Sequence, residues 1–180
     1  MKHNKYLILN IMFSILLAVS AFSLLDHYND VKDCEKQLGI AYNSANQIYE
    51  TAIQKFEELD CIYRTAEKYQ VPPEVVLAVM KVESNFDKTA TSNSSCGLMQ
   101  VNKLHLSSYG LEEKDLYDVN TNVEMGTGIL SECIANSPDL EVALGKYNRG
   151  VAGYEKYISR GGNRETRYAR EVKKWMQQLI

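Results

Sequence analysis

Between Val31 and Ile62 the chain carries neither a proline nor a cluster of turn residues, and apolar side chains recur every seven positions. Val31, Leu38, Ala45, Ala52 and Leu59 set the repeat, with Cys34, Ala41, Ile48 and Ile62 between them. Apolar residues at that spacing line one face of an α-helix, close to heptad geometry. At 1.5 Å per residue, an unbroken helix here runs roughly 45 Å. Gly39 and Lys55 weaken the stripe. Such a helix either packs onto the domain that follows or stands that domain off a membrane, and the pattern fits both.

Upstream, Lys2 and Lys5 precede an apolar run from Tyr6 to Leu25. A short basic region followed by an apolar stretch reads as a secretory signal, with Val19-Ser20-Ala21 as its cleavage site. The run is 20 residues long, however, which is what a membrane-spanning helix requires. Cleaved signal and uncleaved anchor both fit. Either way the positive flank stays inside and the rest of the chain leaves the cytoplasm. Cys34, Cys61, Cys96 and Cys133 all lie beyond this run and form no C-x-x-C pair. Widely spaced cysteines in an exported chain favour disulfides over metal ligation. Their spacing does not select a pairing, and four free, buried thiols are the alternative. His3, His27 and His105 are too scattered to suggest a zinc site, so neither metal nor cofactor is expected.

The remainder reads as helices separated by turns. Cys61–Gln70 suggests a short helix, and Pro72 and Pro73 open the next, since proline suits a first helical turn. Val75, Val76, Val79 and Val82 are its expected buried face. After a Ser/Asn-rich loop, helices are expected at 97–104, 120–136, 138–148 and 164–179, with turns at Tyr109-Gly110, Ser137-Pro138 and Gly161-Gly162. No strand alternation is sustained. The expected fold is mainly α, divided into a signal or anchor over 1–25, an amphipathic segment over 26–60 and a helical domain over 61–180. A net charge of −3 argues against a nucleic-acid partner. From Lys146 to Lys174 the balance reverses, with nine Lys and Arg opposed only by Glu155, Glu165 and Glu171. That basic face either attracts an anionic cell wall or is a solvated surface balancing an acidic first half.

Few residues are arranged for chemistry. There is no G-x-S-x-G elbow, phosphate loop or H-E-x-x-H. Glu83 remains, closing an apolar helix just before the loop in "VESNFDKTATSNSSCGLMQVN". A carboxyl beside apolar helix residues has its pKa raised by desolvation and so keeps a proton to donate. One glutamate alone takes the reading only to a candidate general acid, because helix-end glutamates are more often simply solvated.

The surrounding blocks carry a resemblance. "ESNF…ATS…GLMQ" (Glu83, Ser84, Phe86, Ala90, Ser92 and Gly97 to Gln100) resembles the signature of the soluble lytic transglycosylase (SLT) family, which has the goose-type lysozyme fold. "ALGKYNRG" is similar to its A-x-x-A-Y-N-x-G block through Ala143, Tyr147, Asn148 and Gly150. "NVEMGTGIL" resembles its N-x-x-x-G-x-x-x-L helix through Asn122, Gly126 and Leu130, and "ETRYAREV" its closing segment. "AEKYQVPPEVVLAVMKVES" looks like the opening helix pair, so the likeness spans about 61–175. Departures occur in the Ser92–Gly97 loop, at Asn102, at Lys146 and between Glu165 and Tyr168. They bear on the cleft loop and substrate preference, not on the acid.

The resemblance implies a lysozyme-like domain that cuts peptidoglycan between N-acetylmuramic acid and N-acetylglucosamine. It implies that Glu83 is the catalytic acid, then base, leaving a 1,6-anhydro sugar without consuming water. Ser92, Gln100, Asn102, Tyr147, Asn148 and Tyr168 are the implied substrate contacts. Implied partners are peptidoglycan glycan strands and, by analogy, a secretion, conjugation or phage machine; the place of action is extracytoplasmic. If Asp87 or Asp118 faced Glu83, a lysozyme-like hydrolase would be the alternative. A non-catalytic tethered scaffold that binds glycan or an assembly partner is the other.

Overall fold

The first helix is set by what is missing from its sequence. No glycine lies between Gly39 and Gly97 and no proline before Pro72, so nothing interrupts α1 (Lys2–Lys68). The separate short helix expected at Cys61–Gln70 is therefore the end of α1. The stop is Gln70, whose backbone is left-handed at φ 54°, with the Val71 N–H returning to Ala66 O at 2.9 Å. The computed structural model describes the backbone of residues 2–179 and the side chains of residues 12–178. Part of the expected export segment, Tyr6 to Ile11, lies outside the described side chains. Among the described residues no helix is long and apolar enough to cross a membrane.

The chain divides into two compact units, residues 1–53 and 54–180. The first is helix alone, and its side chains are exposed from Met12 to Ile53, the heptad residues included. The second contains the core. There α1 buries Ile62 and Ala66, and α2 (Pro73–Ser84) buries Val75, Val76, Ala78, Val79 and Met80. Val82, expected inside, is half-buried against the core. α2 opens on Pro72-Pro73, and Asn85, in the left-handed region, sends its N–H back to Lys81 O.

The helix expected at 97–104 is not formed. Gly97 (φ 79°) and Gln100 (φ 47°) both adopt left-handed backbone, which no α-helix can continue through. The segment instead turns back on itself, pairing β1 (Ser95–Cys96) antiparallel with β2 (Val101–Asn102). A 3-10 turn at Lys103–His105 and the short α3 (Leu106–Tyr109) follow.

α4 (Val119–Ala135), α5 (Leu140–Arg149) and α7 (Arg167–Leu179) fall where helices were expected. α6 (Val151–Ser159) was not anticipated, because Gly150, Gly153 and Gly161-Gly162 make its sequence read as a connection. α4 is central and buries Asn122, Val123, Thr127 and Leu130, while α7 packs along α2. The fold is thus mainly helical, with a long first helix.

The expected disulfides are absent: all four cysteines are free. Two of the three buried ones have polar partners close by. Cys61 Sγ lies 4.0 Å from Thr65 Oγ1, and Cys96 Sγ lies 3.4 Å from both Thr91 Oγ1 and Tyr117 Oη. Cys133 is buried on α4. Cys34 is exposed, contrary to both sequence readings of the thiols.

Candidate active site

Glu83 occupies the last turn of α2, the point where an apolar helix surfaces. Its position depends on the turn opposite, which is tied down from three elements. Ser84 Oγ donates to Leu98 O at 2.8 Å from α2. Asn122, buried on α4, accepts from Met99 N–H at 2.8 Å and donates to Cys96 O and Leu116 O at 2.9 and 2.8 Å. Tyr147 Oη on α5 donates to Met99 O at 2.8 Å. A Cβ on Gly97 would lie 2.1 Å from Asn122 Nδ2, so the turn fits only with glycine there. Gly126 makes similar room for the buried Met99 side chain. These ties give the GLMQ and N-x-x-x-G blocks a packing role that sequence reasoning had not assigned.

The turn, α2, α4 and α5 enclose a groove of about 500 Å³. Glu83, Ser92, Gln100, Asn102, Tyr147 and Asn148 all line it. Tyr168 does not. It reaches Glu83 from α7, packed against the core, and its hydroxyl is buried with no well-formed hydrogen bond. Ser95, Val101, Leu104, His105, Ile129, Arg149 and Gly150 complete the lining and had not been expected as substrate contacts. Ile129 and Arg149 adjoin recognised motif positions. Leu104 and His105 belong to the 3-10 turn, where Leu104 had read as the end of a helix and His105 as the residue after it, so no sequence signal aimed them at the groove.

Several expected contacts also serve the fold. The Ser92 hydroxyl accepts from Ser95 N–H at 3.0 Å and donates to Ser95 O at 3.2 Å. Gln100 Nε2 donates to Ala90 O and Gly97 O, each at 3.1 Å. Asn102 Oδ1 caps the 3-10 turn through Leu104 N–H at 2.9 Å. Asn148 is exposed.

The electrostatics single out one carboxyl. Burial raises the Glu83 pKa above the ordinary glutamate range, and the Tyr168 hydroxyl pulls it partly back. Burial, then the charge of Glu83, pushes the Tyr147 and Tyr168 phenols well above their usual range. Two neutral hydroxyls therefore face an acid that retains its proton to higher pH than usual. Among the described residues no second carboxylate lines the groove. Asp87 is exposed and accepts from Thr89 N–H and Oγ1 at 2.8 and 2.7 Å, which lowers its pKa. Asp118 caps α4 through Thr121 N–H at 2.9 Å.

A groove with one desolvated glutamate at the end of a buried helix, on this helical frame, defines a lysozyme-like domain. Residues 60–169 match the family described as the transglycosylase SLT domain, and the chain belongs to that family. Among solved structures it is similar to an inactive mutant of the lytic transglycosylase Slt from Pseudomonas aeruginosa, with a TM-score of 0.56 at 18% identity. That match covers 67% of this chain and 24% of the Pseudomonas protein. At such identity the likeness speaks for the fold.

Proposed function

We propose that this protein is a peptidoglycan lytic transglycosylase with Glu83 as its single catalytic carboxyl. The observation that carries the reading is Glu83 itself, desolvated and without a second carboxylate in its groove. A two-carboxylate glycosidase holds its acids ~5–9.5 Å apart on either side of the scissile bond. Here one group acts twice. Protonated Glu83 donates to the oxygen linking N-acetylmuramic acid to N-acetylglucosamine, and the substrate's N-acetyl group stabilises the sugar cation. Ionised Glu83 then accepts the proton of the muramic acid 6-hydroxyl as that oxygen attacks C1. The product is a 1,6-anhydro sugar, and no water is consumed. A group serving as acid and then base works best with a pKa near the working pH, and burial moves Glu83 in that direction.

The other roles follow from the groove. Ser92, Gln100, Asn102 and Asn148 contact the glycan along the walls they line. Tyr147, held by Met99 O, walls the groove beside the sugar, and Tyr168, behind the groove, bears on the Glu83 carboxyl. The catalytic domain is residues 61–180, and residues 26–60 are the helical segment before it. Residues 1–25 are the export segment, cleaved or retained as an anchor, so the enzyme acts outside the cytoplasm on glycan strands. Local wall opening for a secretion, conjugation or phage machine suits such an enzyme.

Glu83→Gln tests the reading. The variant is expected to fold normally and lose wall-clearing activity by at least ~10³-fold, the scale on which general acid catalysis operates. Unchanged clearing removes Glu83 from the mechanism, whereas no clearing by the unaltered protein favours a glycan-binding scaffold. Mass spectrometry of muropeptides released by the unaltered protein is expected to find anhydro ends. Reducing ends instead would make it a hydrolase.

A further inference from the structure

α6 ends in a turn over Arg160–Gly162, where Gly161 takes φ 83° and the Gly162 N–H returns to Tyr157 O at 3.0 Å. A Cβ on Gly162 would come within 2.5 Å of the Tyr157 ring, so the turn lies directly against that ring. Arg149, Lys156, Tyr157, Arg160 and this glycine pair line a hollow of about 480 Å³. The Arg149 guanidinium is held 4.3 Å from the Tyr157 ring centroid. The Tyr157 hydroxyl accepts from Asn163 N–H at 3.1 Å, which leaves its own proton to donate.

The charge in this hollow is unbalanced. Arg164, four residues beyond Arg160, is matched by Asp139, and Lys173 by Glu141 and Glu165. Among the described residues Arg149, Lys156 and Arg160 form no ion pair, and no acid lines the hollow. Three unmatched cations around one concavity concentrate a positive potential. Guanidinium groups there suit a carboxylate, which they hold through paired N–H donors. Arg149 lines both this hollow and the Glu83 groove, so the two concavities share a wall.

We propose that the hollow is a subsite for the carboxylates of the peptide stem carried by a muramic acid lying in the neighbouring groove. The proposal rests on the peptidoglycan reading of that groove, since the stem is the anionic part of the strand that projects sideways from the sugar. The enzyme accordingly distinguishes stem-bearing strands from bare glycan.

Binding separates this from catalysis. Isothermal titration of the Glu83→Gln protein with stem-bearing glycan fragments, and with the same fragments stripped by an amidase, measures the stem's contribution. The stem-bearing fragments are expected to bind about tenfold more tightly, the worth of one charge-assisted contact. Adding Lys156→Glu and Arg160→Glu, neither of which lines the Glu83 groove, is expected to erase that difference and leave stripped-fragment binding unchanged. A matched thermal midpoint confirms that the altered protein is folded. Equal binding of the two fragments by the Glu83→Gln protein overturns the proposal, as does a stem preference that survives charge reversal. If charge reversal instead abolishes only the binding of a phosphodiester wall polymer, the hollow serves a different anion and the proposal is wrong. Because no turnover is needed, these outcomes stand whether or not Glu83 proves catalytic.

Discussion

Glu83 shows how one side chain can hold function and instability together. Its pKa in the folded chain lies above the ordinary value because burial penalises the charged form. The unfolded chain releases that proton at lower pH. The carboxyl's contribution to stability is therefore complete below the unfolded pKa and is lost as pH rises through the folded pKa. Glutamine keeps the shape and cannot ionise. Thermal midpoints of Glu83→Gln and unaltered protein should coincide below about pH 4, with the variant gaining the advantage as pH approaches neutrality. Parallel curves across that range would mean that Glu83 is solvated in solution. The tyrosines around it do not offset this cost fully, since Tyr147 donates to Met99 O and Tyr168 only partly lowers the shift.

At the scale of elements, the 97–100 turn is the piece on which the groove depends. α2, α4 and α5 each bind its backbone, and Asn122 alone satisfies three buried groups. Asn122→Ala would leave Met99 N–H, Cys96 O and Leu116 O without these partners, at a cost of about 3 kcal/mol. Urea denaturation should show that loss, accompanied by lower activity because the turn carries Gln100 into the groove. A loss under about 1 kcal/mol would show that water or a shifted backbone replaces the bonds. This turn is also where sequence reasoning failed. "GLMQVN" has the apolar content of a helix start, but the left-handed backbone at Gly97 and Gln100 is imposed by partners distant in sequence. Ser92 and Asn102 read as groove residues, and they line the groove while also stabilising its loops.

Across the whole molecule, the thiols report on compartment and core together. Export chemistry favoured cross-links, yet Cys61, Cys96 and Cys133 are buried and free while Cys34 is exposed. A thiol reagent should therefore titrate one cysteine in the native protein and four after unfolding. Fewer than four after unfolding, under non-reducing conditions, would restore a disulfide. Much of the molecule was legible beforehand. Pro72-Pro73 and the valines of α2, the periodic helices α4, α5 and α7, and the acid at a helix end are local patterns, each set by neighbours within a few residues. They determined the helical class and marked Glu83 as a candidate acid. The tertiary structure decided what depends on distant partners: that residues 95–102 form a hairpin, that the cysteines stay unpaired, and that Arg149 joins a basic hollow to the groove. Local pattern fixes backbone preference over a turn or two, whereas burial and pairing across the chain depend on which surfaces meet.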